Sequence, residues 1–88
     1  MSNRLYVGNL PPSATEEDLK ARFGRSGTVN SATIVIDAST GRKRRFGLVE
    51  MSCEAEARMA IARLNLTQFD ETVISVGLAR TDQLPKEL

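Results

Sequence analysis

The sequence predicts a single α+β domain, and three observations lead to that prediction. The chain has 88 residues, of which 41% are hydrophobic and 26% charged, which suits one globular domain with a thin core. Four segments alternate apolar and polar residues with a period of two, as strands do. Two further segments repeat apolar residues every three or four positions, as amphipathic helices do. The order of these segments along the chain is β-α-β-β-α-β.

The first strand and the first helix have clear boundaries. Residues 4–9 alternate apolar and polar side chains, and the two prolines that follow end the strand. Thr15 and Asp18 have the spacing of a capping box, which predicts that a helix begins there. Leu19 and Phe23 share one face of this helix, and the glycines beyond Phe23 end it.

The second half of the chain predicts a hairpin, a helix and a last strand. Residues 29–37 and 44–51 are strands joined by turn-forming residues. Ser52 is predicted to cap the second helix, which runs to about Leu64, and residues 72–79 form the last strand. Alternating strands with two one-sided helices predict a ferredoxin-like β-α-β-β-α-β sandwich. In it, a four-stranded antiparallel sheet carries both helices on one face.

The composition excludes several chemistries. The chain has no histidine and a single cysteine, Cys53, which excludes histidine-based catalysis, an intrachain disulfide and a CxxC site. We expect Cys53 to be a half-buried structural thiol, and we expect no metal, cofactor or small-molecule substrate. No apolar run is long enough for a membrane helix and no signal peptide is evident, so a cytoplasmic location is expected. We expect residues 1–80 to form the domain and residues 81–88 a polar, flexible tail.

The uncovered face of the sheet carries the informative residues. The period of two places Tyr6 on that face, together with Arg44, Phe46, Leu48 and Glu50. The other two aromatic residues, Phe23 and Phe69, have core spacing. An apolar cluster exposed beside an arginine favours a partner, and nucleic-acid bases stack on aromatic rings while arginine meets phosphate.

A basic run lies beside this cluster. Residues 42–45 are four consecutive basic residues, Arg42, Lys43, Arg44 and Arg45, in a chain whose formal net charge is only +1. Such a run is often no more than a solvated loop. Its position at the end of the hairpin, next to the exposed aromatic residues, favours a role in contacting phosphates instead.

Two segments resemble the signatures of the RNA recognition motif family. Residues 5–10, Leu-Tyr-Val-Gly-Asn-Leu, resemble its hexapeptide signature. Residues 44–51 resemble its octapeptide signature, K/R-G-F/Y-G/A-F-V-x-F/Y, and match it at Arg44, Phe46, Gly47 and Val49. The resemblance covers about residues 3–80 and is greatest to the short stand-alone bacterial members of the family.

The resemblance implies single-stranded RNA as the ligand, with single-stranded DNA as an alternative, bound by a monomer with weak to moderate sequence selectivity. It implies that Tyr6 stacks on a base, that Phe46 contacts ribose and that Arg44 contacts phosphate. Asn9 is expected to have a mainly structural role. Further contacts are expected from residues along the sheet and its edges, namely Leu48, Arg42, Lys43, Arg45, Ser75 and Arg80.

The departures from the family pattern are also informative. Leu48 stands where a second stacking aromatic residue is usual, which is expected to cost roughly 1–2 kcal/mol of binding free energy. Arg45 replaces a glycine, and Met51 replaces an aromatic residue in the core. Leu66 replaces the glycine that usually follows Leu-Asn, so that loop is expected to differ.

Two other classes of function fit the sequence less well. A protein-interaction module on the same fold is the main alternative, but its known subclass carries Arg-x-Phe where this chain has Thr67, Gln68 and Phe69. An enzyme is disfavoured, because Pro11, Pro12 and Ser13 stand where acyl-phosphate hydrolases of similar architecture have a phosphate-binding loop.

Overall fold

A computed structural model describes residues 3–37 and 44–79. Within these ranges two helices and six strands follow one another along the chain. They are β1 (Arg4–Gly8), α1 (Glu16–Phe23), β2 (Val29–Asp37), β3 (Arg44–Met51), α2 (Glu54–Leu64), β4 (Gln68–Phe69), β5 (Thr72–Val73) and β6 (Ser75–Leu78). The proposed tail, residues 81–88, lies outside the described residues.

The main sheet has four antiparallel strands in the order β2-β3-β1-β6. Tyr6 on β1 lies opposite Leu48 on β3 and opposite Gly77 on β6. Leu48 in turn lies opposite Thr33 on β2. The predicted ferredoxin-like sheet with two helices is therefore confirmed.

The prediction of one continuous last strand over residues 72–79 is wrong. Thr72 and Val73 pair with β4 in a separate two-stranded sheet, and only Ser75–Leu78 joins the main sheet. Ile74, between them, is fully buried, and its N–H donates to the carbonyl of Thr67 at 3.0 Å. The chain therefore turns from one sheet to the other at Ile74, where burial of the side chain holds the break in place.

The two helices begin differently. The predicted capping box of α1 is present: the Asp18 N–H donates to the Thr15 hydroxyl at 3.1 Å, and the Thr15 N–H donates to the Asp18 carboxylate at 3.1 Å. Ser52 does not cap α2, because the N-cap residue is Cys53, whose side chain makes no capping bond. Cys53 is also exposed rather than half-buried, since it stands at the outer end of the helix.

Ser52 has another role, in a carboxylate contact at the start of α2. Its hydroxyl donates to the Glu56 carboxylate, which also accepts the backbone N–H of Thr28 at 3.1 Å. These hydrogen bonds, that of Ser52 first, lower the pKa of Glu56 below its ordinary value of 4.5. Glu56 therefore ties α2 to the loop that precedes β2.

The core lies between the sheet and the helices. Phe23 and Phe69 are 0% and 1% exposed, as their spacing predicts. They pack with buried side chains from both helices and the inner face of the sheet, including Leu5, Val7, Leu19, Val49, Met51, Ala57, Ala60, Ile74 and Val76. Gly47 allows α1 to approach the sheet, because a Cβ atom there would lie 2.8 Å from Leu19 Cδ1.

A helix side chain protects one edge of the main sheet. Within residues 3–37 and 44–79, β2 is an outer strand of the sheet, and no described strand pairs with its outer side. The N–H of Ile34 donates to the Glu16 carboxylate at 3.2 Å. Glu16 thus supplies an acceptor to the edge of the sheet.

Candidate nucleic-acid interface

Two aromatic rings form the centre of the open face. Tyr6 from β1 and Phe46 from β3 are stacked, with ring centroids 5.2 Å apart and an interplanar angle of 25°. The period of two explains the arrangement, because Leu5 and Val7 on either side of Tyr6 are buried in the core. The sequence therefore predicted correctly that both rings share the face opposite the helices.

Phe46 differs from expectation in its exposure. We expected a solvent-exposed ring, but Phe46 is only 7% exposed, although it lies outside the hydrophobic core cluster. Its ring lies against Tyr6, and this contact removes one ring face from solvent. Tyr6, which is half-buried, presents more surface than Phe46 does.

Gly8 keeps this part of the face compact. A Cβ atom at Gly8 would lie 2.8 Å from the Ser75 hydroxyl and 3.1 Å from Cε1 of Tyr6. Ser75 lies opposite Gly8 in the register and is exposed, so it borders the aromatic pair on the β6 side. Asn9, the next residue, adopts a positive φ of 63° and donates from its side-chain amide to the Val73 carbonyl at 2.8 Å. This contact accords with the structural role expected of Asn9.

A hollow lies beside the aromatic pair on the same face. Its volume is about 220 Å³, and Leu48 forms part of its wall. The remaining wall comes from β1, β2, β3 and the residue that follows β6, through Arg4, Ser31, Thr33, Val49, Glu50 and Ala79. Arg4 and Glu50 lie opposite each other, with Arg4 Nε 3.9 Å from Glu50 Oε1.

Arg4 and Glu50 were not among the predicted site residues. Alternation already places Glu50 on the open face, and it places Arg4 there too, because Arg4 is two positions from Tyr6. Opposite charges at facing positions of adjacent strands are a common cross-strand pair, but the pairing register is needed to see it.

The predicted basic residues are not all brought together. Arg45 lies opposite Ile36 and follows the alternation to the helix side, where it borders a cleft with Glu16 and Glu17. The structure thus separates Arg45 from Tyr6 and Phe46. Of the other predicted basic residues, Arg42, Lys43 and Arg80 and the side chain of Arg44 lie outside the described residues.

Comparison with known proteins identifies the family. The family model described as RNA recognition motif matches residues 5–75. The chain is 46% identical over 76 residues to the protein RbpB of the cyanobacterium Nostoc sp., an alignment that covers 86% of this chain and 74% of the relative. This chain therefore belongs to the RNA recognition motif family, as its two signatures indicate.

Other relatives are longer proteins. The chain is 44% identical over 78 residues to the chloroplastic 31 kDa ribonucleoprotein of Nicotiana sylvestris, covering 89% of this chain and 25% of that protein. It likewise spans 34% of a chloroplastic 28 kDa ribonucleoprotein of Spinacia oleracea. Because some relatives are named as chloroplastic or mitochondrial and another comes from a cyanobacterium, a cytoplasmic location for this chain stays a prediction. No helix within residues 3–37 and 44–79 is long and apolar enough to cross a membrane.

Solved structures agree with this assignment. The crystal structure of RNA binding protein PG1 is 42% identical and matches with a TM-score of 0.78, covering 89% of this chain and 94% of that one. A Sex-lethal protein/RNA complex is 29% identical and matches with a TM-score of 0.80, covering 91% of this chain and 48% of that one.

Proposed function

We propose that this domain binds single-stranded RNA through the open face of its main sheet, without catalysing a reaction. The observation that carries the proposal is the stacked pair of Tyr6 and Phe46 on the face opposite the helices. A flat aromatic surface binds bases of any sequence, because every base has a π-face, and each stacked base contributes about 1–3 kcal/mol.

The two rings have different tasks in this proposal. Tyr6 stacks on a base, since it is the more exposed of the two. Phe46 supports the Tyr6 ring from one side, and its contact with ribose is confined to the small part of its surface that is exposed. Ser75 and Leu48 border the same surface and contact the neighbouring nucleotides.

Phosphate contacts are proposed for the basic residues at the end of the hairpin. Arg44, Arg42, Lys43 and Arg45 attract the backbone, and Arg80 extends the path beyond β6. Arg45 contacts only an RNA strand that passes around the edge of the sheet, because Arg45 lies on the helix side beside Glu16 and Glu17. A single small domain of formal net charge +1 is expected to bind weakly and with strong salt dependence.

The relatives support RNA rather than another ligand. One matched structure is described as a protein/RNA complex, and several matched relatives are named as ribonucleoproteins. Single-stranded DNA would stack on the same rings, so the choice between RNA and DNA is part of the test.

The test is fluorescence anisotropy with a labelled degenerate RNA octamer and its DNA counterpart, at two salt concentrations. We expect salt-dependent RNA binding that Tyr6→Ala weakens about five- to hundred-fold through loss of one stacked base. Arg44→Ala is expected to weaken binding uniformly across sequences and to reduce the dependence on salt.

Met59→Ala is the matched control. Met59 is a large apolar side chain, 47% exposed, but it stands on α2, on the other side of the sheet. Its loss is expected to leave RNA affinity unchanged. Absence of binding, or binding that Tyr6→Ala and Met59→Ala alter equally, would overturn the proposal and favour a protein-interaction module on the same fold.

A further inference from the structure

We infer that the hollow beside Leu48 is a pocket for one nucleobase, and that Glu50 makes the pocket select guanine. This inference rests on the proposed binding of RNA by the open face and specifies how one position of the RNA is chosen. The hollow has a volume of about 220 Å³, and Leu48, Glu50 and Thr33 contribute to its wall.

The size of the hollow suits a single base. Pockets for drug-sized ligands measure about 300–1,000 Å³, so this hollow is too small for such a ligand. Leu48 is shorter than an aromatic residue and leaves this room open beside the sheet. Leu48 provides an apolar surface for the face of a base, and polar side chains stand around it.

The position of the hollow suits a neighbouring nucleotide. Leu48 lies directly opposite Tyr6 across β1 and β3, and directly opposed residues have Cβ atoms about 4.5–5.5 Å apart. A base stacked on Tyr6 and a second base of the same strand can therefore occupy the ring and the hollow together. The hollow thus belongs to the same binding surface as the aromatic pair.

The chemistry of the wall favours one base over the others. The carboxylate of Glu50 offers two oxygens that accept hydrogen bonds. Guanine presents two adjacent donors, N1–H and the N2 amino group, which pair with both carboxylate oxygens at once. Adenine and cytosine present one amino group on the corresponding edge. Uracil presents a single N–H donor between two carbonyl oxygens, and the carboxylate repels both of these oxygens.

Arg4 makes a carboxylate tolerable on a surface that binds a polyanion. Its Nε atom lies 3.9 Å from Glu50 Oε1, and the Glu50 side chain is 35% exposed. The positive charge of Arg4 offsets the repulsion between Glu50 and phosphates. Ser31 and Thr33 add hydroxyl groups to the same wall, and each hydroxyl can donate or accept a hydrogen bond.

The experiment measures the affinity of the whole chain for four labelled RNA octamers. One octamer is all uridine, and the other three carry a single guanosine, adenosine or cytidine at a central position. We expect the guanosine octamer to bind at least about five-fold more tightly than the all-uridine octamer, as one bidentate base contact predicts. Adenosine and cytidine are expected to fall between them.

Two variants test the origin of the preference. Glu50→Gln is expected to reduce the guanosine preference to less than about two-fold, without weakening binding of the all-uridine octamer. Leu48→Phe fills the hollow with a ring that stacks on any base, so it is expected to tighten binding of the all-uridine octamer and also to reduce the preference. The control is Glu17→Gln, an exposed carboxylate on α1 at the helix side of the sheet, which is expected to keep the preference intact.

The outcomes separate this inference from the proposed function. Binding that depends on Tyr6 but shows no guanosine preference would overturn the pocket and leave RNA binding in place. A preference that survives Glu50→Gln would overturn the role of Glu50. Failure of the unaltered chain to bind any octamer would overturn both proposals. Circular dichroism of each variant establishes that the affinities compare folded proteins.

Discussion

The two faces of the main sheet are built from the same strands and differ in how deeply their side chains are buried. On the helix-covered face, Leu5, Val7 and Met51 are fully buried. On the open face, Tyr6, Leu48 and Glu50 are only half-buried. The difference teaches that successive residues of one strand divide between two tasks, since the covered face stabilises the fold and the open face is left available to a ligand.

The largest effect is expected on the covered face. Phe23→Ala should lower the free energy of unfolding by about 3–5 kcal/mol, because Phe23 is fully buried in the core cluster and its loss leaves a cavity. Urea unfolding followed by circular dichroism measures the change. Phe23→Leu, which keeps most of the volume, should cost clearly less. A loss below about 1 kcal/mol for Phe23→Ala would contradict the division of tasks between the two faces.

Phe46 tests the boundary between the two tasks. It lies on the open face but is 7% exposed, so Phe46→Ala should lower the free energy of unfolding by about 1–3 kcal/mol and also weaken RNA binding. Phe46→Leu keeps apolar bulk without a ring, and should recover stability more than affinity. Parallel measurements of unfolding and anisotropy separate the two effects. Unchanged stability of Phe46→Ala would show that burial of this ring contributes nothing to the fold.

Leu66 offers a gain in stability at a position remote from the core. Its φ of 60° is a left-handed conformation that a leucine adopts at a cost, and its side chain is 71% exposed. Leu66→Gly should therefore raise the free energy of unfolding by about 0.5–1 kcal/mol, after the greater freedom of glycine in the unfolded chain is counted. Leu66→Ala keeps the backbone cost and should leave stability unchanged. Destabilisation by the glycine would show that the exposed leucine makes a packing contribution.

The smallest effect concerns Glu56 and depends on pH. Its pKa is lowered by the Ser52 hydroxyl and the Thr28 N–H, so the folded protein favours the ionised form. The resulting stabilisation is present above the ordinary value of 4.5 and is lost as the pH falls through the folded-state pKa. The difference in urea midpoint between Glu56→Gln and the unaltered protein should therefore be greater at pH 7 than at pH 3. Ser52→Ala should reproduce part of this difference in urea midpoint. A difference that is greater at pH 3 than at pH 7 would refute the stabilising role of ionised Glu56.

Local patterns predicted most of the fold. β2 and β3 lie where β-branched residues and alternation placed them, and α1 begins at the capping box of Thr15 and Asp18. The split of the last strand was missed, because it depends on Ile74 entering the core and on hydrogen bonds with the loop before β4. A tertiary contact of this kind leaves no period in the sequence.

The candidate site was predicted in outline only. Alternation placed Tyr6, Phe46 and Leu48 on one face, and the structure places them there. The low exposure of Phe46 and the pairing of Arg4 with Glu50 depend on register and ring packing, which a single sequence does not specify. Arg45 shows that a run of basic residues in a strand does not form one basic surface, because adjacent residues of a strand point to opposite faces.

The contact between Glu16 and the edge of β2 bears on aggregation at high protein concentration. An outer strand is a template on which another chain can add its own strand. Ile36, which belongs to β2, is 52% exposed and adds an apolar side chain to this edge. A strand from another chain that paired with β2 at Ile34 would have to displace the Glu16 carboxylate from the Ile34 N–H. Glu16 therefore disfavours strand addition at this edge, and Glu16→Ala is expected to favour aggregation through it.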